Sequence, residues 1–163
     1  MRSSLVPQTL GFKGIRLHEI DDEYATCTGT YATLRITSKV LDPEQISTLI
    51  GFEPTRSFKK GEVRTQHPSA KSKTHAWSGW FYSTKELSHS RDCRRHLEVL
   101  LAGPLKDSSS LGQLRESGCE TDVAVMYGYT QGGPTISPQQ MLGLAEAGVE
   151  VWWDLYHEPE ADE

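Results

Sequence analysis

The chain has 163 residues, of which 36% are hydrophobic and 24% charged, and a formal net charge of −5. That length suits one domain able to bury a core without staples. The acidic balance argues against a dedicated nucleic-acid binder, and no run approaches the roughly 18 apolar residues of a membrane helix.

Residues 1–29 mix Gly, polar and charged positions around an acidic knot of Glu19, Asp21, Asp22 and Glu23. They read as an arm, with at most a short strand near Arg16–Ile20. The opening Met1–Pro7 has no apolar stretch of the kind a signal peptide needs. From Tyr31 to Ser38 apolar and polar residues alternate: Ala32, Leu34 and Ile36 fall on one face, Thr33, Arg35 and Thr37 on the other. This is the pattern of a half-buried strand. Asp42-Pro43-Glu44 then starts a helix, with Asp42 as N-cap, Pro43 at the first helical position and Gly51 as the stop. Pro54–Lys60 is a candidate second strand, and residues 62–74 read as an exposed loop.

His75–Ser83 has the highest strand propensity in the chain, with Trp77 and Phe81 on one face and Trp80 and Tyr82 on the other. A helix follows over about 90–102, with Cys93, Leu97, Leu100 and Leu101 at helical spacing, then a shorter one near 109–116. Asp122–Tyr129 is the next strand. A loop, Gln131-Gly132-Gly133-Pro134, leads to a helix capped by Ser137, opened by Pro138 and closed by Gly148. Val149–Tyr156 is the last strand, and residues 157–163 form an acidic, flexible tail.

The order of elements predicts a single α+β domain over residues 30–156. It is ferredoxin-like or a duplicated split-βαβ, with a mainly antiparallel sheet and helices packed on one face. The duplication rests on two similar helix starts, Asp42-Pro43-Glu44-Gln45 and Ser137-Pro138-Gln139-Gln140. Any helix opened by a capping residue and Pro gives the same pattern, so both explanations stand.

Chemistry-bearing residues are sparse. Cys93 and His96 lie three apart on a helix, the spacing of a metal pair or a Cys–His nucleophile. Cys93 also falls on the apolar stripe, and a core thiol beside a surface histidine explains the pair more simply. Asp154 and His157 end the last strand, where such a pair can serve acid–base work but more often makes a surface hydrogen bond. The Gly132-Gly133 loop precedes a helix, where anions bind, but lacks the Lys of a P-loop. No cofactor or metal is expected. Cys27, Cys93 and Cys119 are odd in number and widely spaced, which is no disulfide framework and points to a reducing cytoplasm.

Charge is unevenly placed. Residues 56–95 hold ten Lys/Arg against three acids, so the basic side chains concentrate in the middle. Arg56, Lys59 and Lys60, followed in sequence by Trp80, Tyr82 and Arg94, make the candidate surface for a partner or an anionic ligand. A solvated loop has the same composition.

From about Tyr31 to Tyr156 the chain resembles an uncharacterised, mostly bacterial family known only as a domain of unknown function, number 4279. Four features carry the resemblance. They are the opening strand with its Asp-Pro helix and Gly51-Phe52-Glu53-Pro54-Thr55; the Lys60-Gly61 pair; the Trp80 strand leading to the His96-Leu97 helix; and Leu144…Gly148-Val149 running to Asp154-Leu155-Tyr156. Each is structural, so the resemblance transfers no catalytic residue. By analogy with small solitary bacterial domains it implies an immunity-type protein that neutralises a toxin partner. The expectation is therefore a non-enzymatic protein-binding module, with no membrane association and nucleic acid disfavoured. The alternative is a sensor of a small anionic ligand using residues 56–73.

Overall fold

Twelve residues of alternating chemistry, Cys27–Ser38, form the central strand β1. Ala32, Leu34 and Ile36 point to one face and are fully buried. Their neighbours Tyr31, Thr33 and Arg35 point to the other, as the two-residue period of a strand requires. The computed structural model describes residues 17–64 and 73–159.

Helix α1 (Pro43–Ile50) begins where Asp42 and Pro43 place it. The Gln45 side chain reaches back to accept the Asp42 N–H at 2.9 Å. Gly51 ends the helix at φ +74°, a left-handed turn that a residue with a Cβ adopts only at a cost. Strands β2 (Arg56–Phe58) and β3 (Ser78–Ser83) pair antiparallel. Asp92 caps α2 (Cys93–Ala102) by accepting the Arg94 N–H, and Asp107 caps α3 (Ser108–Glu116) by accepting the Ser109 N–H. Strand β4 (Glu120–Tyr129) then leads to α4 (Pro138–Ala147) and β5 (Glu150–His157). Arg115 on α3 closes the end of α4 by donating to the Ala147 carbonyl at 2.8 Å.

The sheet runs β2-β3-β1-β4-β5. Strand β1 is antiparallel to β3 and β4, and β4 is parallel to β5. Read from β4, the order β4-β1-β3-β2 is that of a ferredoxin-like sheet, and α4–β5 extends it by one strand. The α+β class and the mainly antiparallel sheet are as the sequence predicts.

The core lies between the sheet and the helices. Leu34, Ile36, Trp80, Val123, Val125 and Tyr127 project from the strands to meet Ile46, Leu97, Leu100, Leu111, Leu114 and Leu144 from the four helices. Burial of each such side chain contributes about 1.5–3 kcal/mol. Among the described residues all four helices share this face, and none of them covers the opposite face of the sheet.

Several boundaries differ from the sequence reading. Residues 17–20 hold no strand, because the His18 and Glu19 carbonyls accept from Arg94 instead of from a neighbouring strand. Arg16 lies outside the described residues. Strand β2 is only three residues long, and β3 starts at Ser78 because His75 bonds to Gly61 and Glu62. Val63 and Thr74 form an isolated bridge at the neck of the 62–74 loop, of which residues 65–72 lie outside the described set. His157 completes β5, so the ordered strand reaches one residue into the expected tail.

Candidate functional site

The uncovered face of the sheet is organised in rows, because each strand places alternate residues on it. One row crosses all five strands: Arg56, Phe81, Arg35, Asp122 and Glu150 stand side by side. The row is basic at the β2 edge and acidic at the β5 edge. At its centre Arg35 and Asp122 form a two-pronged pair, Nε to Oδ1 at 2.6 Å and Nη2 to Oδ2 at 2.8 Å. This pair holds the Arg35 guanidinium firmly charged. The same guanidinium lies 5.8 Å from the ring centre of Trp152, and Arg56 lies 5.5 Å from that of Phe81.

Small residues make room for large ones on this face. Trp152 stands beside Ala124 and Tyr156 beside Gly128. Trp152 is 59% exposed and Tyr156 50%. Gly79 lies under the rings of Phe58 and Phe81, and a Cβ built there would sit 2.5 Å from Phe58 Cζ. A shallow groove of about 560 Å³ opens on the same face among Arg35, Thr37, Trp77, Phe81, Glu120 and Asp122.

The residues singled out in the sequence do not all reach this surface. Arg56 does. Lys59 turns instead to α1, where its ammonium meets Glu44 at 2.9 Å, and Lys60 Nζ donates to the Lys39 carbonyl at 3.2 Å. The three cations therefore diverge rather than converge on one point. Trp80 is fully buried on the helix face, its indole N–H donating to Ser47 Oγ at 3.0 Å. Tyr82 is half-buried beside it, edge-on to Phe52. Arg94 is buried as well, and its donors are spent on Asp92 and on the His18 and Glu19 carbonyls.

Cys93 and His96 do share a helix face, but both look inward. Cys93 donates to the Thr135 carbonyl at 3.1 Å, and burial pushes its thiol up to about 11, which makes it a poor nucleophile at neutral pH. His96 is not on the surface. It is fully buried, with Nδ1 2.7 Å from Thr84 Oγ1 and Nε2 2.9 Å from the Ser90 carbonyl. Burial lowers its pKa, so the ring is neutral; Nε2–H donates to Ser90, and Nδ1 accepts the Thr84 hydroxyl. The helical spacing Cys93, His96, Leu97, Leu100 carried this signal in the sequence. Asp154 and His157 part company too: Asp154 accepts the Tyr156 hydroxyl at 2.8 Å, and His157 Nε2 bonds the Thr130 carbonyl at 3.2 Å.

Among the described residues, no group of three or more His, Cys, Asp or Glu is placed to hold a metal ion. Among them, no helix is long and apolar enough to cross a membrane. A family model matches the chain over residues 26–158. The chain belongs to the DUF4279 family, a domain of unknown function. The match takes in every strand and helix of the described residues and leaves out residues 18–22, which contact Arg94 and Arg95. No curated protein and no solved structure matches the chain.

Proposed function

We propose that this DUF4279 chain is a non-enzymatic protein-binding module, and that it recognises its partner through the uncovered face of the sheet. The observation that carries this reading is the set Arg35, Phe81, Trp152 and Tyr156 on one open surface. Arg, Trp and Tyr dominate the energetics of protein interfaces, because they combine large apolar area with directional polar groups. The graded charge row beneath them orients an incoming protein whose own charges run the opposite way.

In its most concrete form the module is an immunity-type protein that caps a toxin; this rests on analogy with other small solitary domains. The three unbridged, buried cysteines fit a cytoplasmic location. Co-expression with the product of the adjacent gene, followed by co-purification, tests the reading. A stable complex that Trp152→Ala with Tyr156→Ala weakens at least 100-fold supports it. No complex, or one indifferent to that double substitution, removes it.

A second reading, a sensor of a small anion at residues 56–73, draws on the exposure of Arg56 and Lys60. A thermal-shift panel of nucleotides and phosphorylated metabolites tests it, and a flat response across the panel excludes it.

A further inference from the structure

Strand β5 is the edge of the sheet, and it carries large apolar side chains on both faces. Trp152 and Tyr156 project from the open face. On the helix face Trp153 is 37% exposed and Leu155 49%, with Val151 half-buried beside them. The main helix–sheet contacts fall on β1, β3 and β4, and on β5 Val151 packs against the core. Among the described residues nothing pairs with its outer edge. An exposed edge of this length, carrying large apolar side chains, is a template for another strand.

We infer that the occupant is β5 of a second copy, paired antiparallel about a two-fold axis to give one continuous ten-stranded sheet. The backbone sets which residues can pair. The Glu158 N–H donates inward to the Tyr129 carbonyl. Backbone groups alternate in direction along a strand, so Val151, Trp153, Leu155 and His157 turn their N–H and C=O groups outward.

Charge then selects the register. An axis at Asp154 sets Asp154 against its own copy and Glu150 against Glu158. An axis at Trp152 sets Glu150 against Asp154. Both oppose like charges directly across the junction, which is destabilising. An axis at Leu155 runs Val151 against Pro159, which has no N–H to give. An axis at Trp153 avoids all of these. It places Trp153 against Trp153 and Val151 against Leu155 on the helix face, and Trp152 against Asp154 and Glu150 against Tyr156 on the open face. About six main-chain hydrogen bonds form between the outward groups of Val151, Trp153 and Leu155 in the two copies.

The area suffices. Side chains of this size carry roughly 150–250 Å² each, so the exposed halves of Trp152, Trp153, Leu155 and Tyr156 in two copies amount to roughly 800 Å². The main chain of the two strands brings the total to the ~1,000 Å² that a specific interface needs. Both this pairing and the partner-binding reading use Trp152 and Tyr156 on the open face, but only the pairing needs the outward backbone groups of β5 and the helix-face side chains of Trp153 and Leu155, so substitutions at Trp153 and Leu155 separate the two.

Sedimentation of the full chain from 5 to 500 μM tests the inference, with circular dichroism as the check on folding. The expected result is a concentration-dependent species of twice the 18.2 kDa chain mass. Trp153→Pro removes an outward N–H and the ring at the axis, and Leu155→Lys places a charge in the apolar seam; each variant remains folded and sediments as a monomer. Opposed residues at the axis lie about 5.5 Å apart at Cα, within disulfide range. Trp153→Cys therefore cross-links under mild oxidation, and Leu155→Cys does not. A monomer throughout that concentration range overturns the inference. So does a dimer that neither Trp153→Pro nor Leu155→Lys dissolves, or a cross-link at Leu155→Cys instead of Trp153→Cys.

Discussion

Arg94 and Asp92 meet at 2.5 Å in a buried ion pair that also anchors the N-terminal segment to α2. Asp92 accepts from Arg94 through both carboxylate oxygens and takes the Asp21 N–H at 3.0 Å. Burial pushes the Asp92 carboxyl up, but the Arg94 guanidinium and two backbone N–H groups outweigh it and hold the carboxyl below its usual range. The outer prongs of Arg94 bind the His18 and Glu19 carbonyls, and Arg95 reaches Asp22 nearby.

Arg94→Ala leaves a buried carboxylate with no counter-ion, and it cuts the segment 18–22 loose. Breaking such a pair costs about 3–5 kcal/mol. Urea unfolding is expected to show that loss, and limited proteolysis is expected to cut within residues 17–26 faster than in the parent. Arg94→Lys keeps the charge but loses the fork, so its effect falls between the two. A parent-like stability for Arg94→Ala would show that the pair contributes nothing.

His96 couples stability to pH. Its ring is neutral in the fold because burial lowers its pKa below the ordinary 6.5, while the Ser90 carbonyl and Asp92 pull weakly the other way. Below pH 6.5 the unfolded chain takes up a proton that the folded ring refuses. The histidine contribution is therefore complete above pH 6.5 and declines as the pH falls toward the folded value. His96→Leu is expected to cost about 2–4 kcal/mol at pH 7.5, from the lost bonds to Thr84 and Ser90. The gap between parent and variant is expected to narrow as the pH drops through this window. Chemical denaturation at pH 7.5, 6.5 and 5.5 checks it; a constant gap refutes the assignment.

Gly79 is predicted to tolerate no side chain. A Cβ there meets Phe58 Cζ at 2.5 Å and Phe81 Cε2 at 2.7 Å, and Phe58 is stacked on His75 at 3.8 Å between ring centres. The Phe58 ring, on the three-residue edge strand β2, must give up its stack on His75 to make room. Gly79→Ala is expected to destabilise by about 1–3 kcal/mol, the usual cost of overpacking. Gly112, inside α3 with open space around it, is the matched control. Gly112→Ala is expected to stabilise by about 0.5–1 kcal/mol, from helix propensity alone. Equilibrium unfolding of the two variants distinguishes the signs.

The local parts of this fold were legible because their causes are local. The alternation of Ala32, Leu34 and Ile36 and the capping residues before Pro43 and Pro138 each specify an element within a few positions. The charge row was not legible. Arg56, Phe81, Arg35, Asp122 and Glu150 come together through the pairing of five strands out of chain order, and no short-range pattern encodes register between strands. Trp80 and Arg94 misled for a related reason. A large ring or a cation announces its type in the sequence, but whether it faces solvent depends on what folds over it. The inward pair Cys93–His96 could have been placed correctly by weighting its spacing with Leu97 and Leu100 above the polarity of the imidazole.

The two similar helix starts give the sharpest test of what a shared motif means. Gln45 and Gln140 occupy the same third position and both reach back to a capping N–H, at 2.9 and 3.1 Å. Their surroundings differ. Gln45 is exposed, and α1 carries the chain past β3 to β2. Gln140 is buried, α4 joins the adjacent parallel strands β4 and β5, and its amide also donates to the Arg94 carbonyl at 2.8 Å. Gln45→Ala removes one exposed capping bond and is expected to cost about 0.5–1 kcal/mol. Gln140→Ala removes the same bond, strips a buried carbonyl of α2 of this side-chain donor and opens a gap between α2 and α4. Its expected cost is about 2–3 kcal/mol. If the motif acted only through capping, the two variants would unfold at the same urea concentration; a clear separation, with Gln140→Ala the weaker, shows that one local sequence has been put to two different uses.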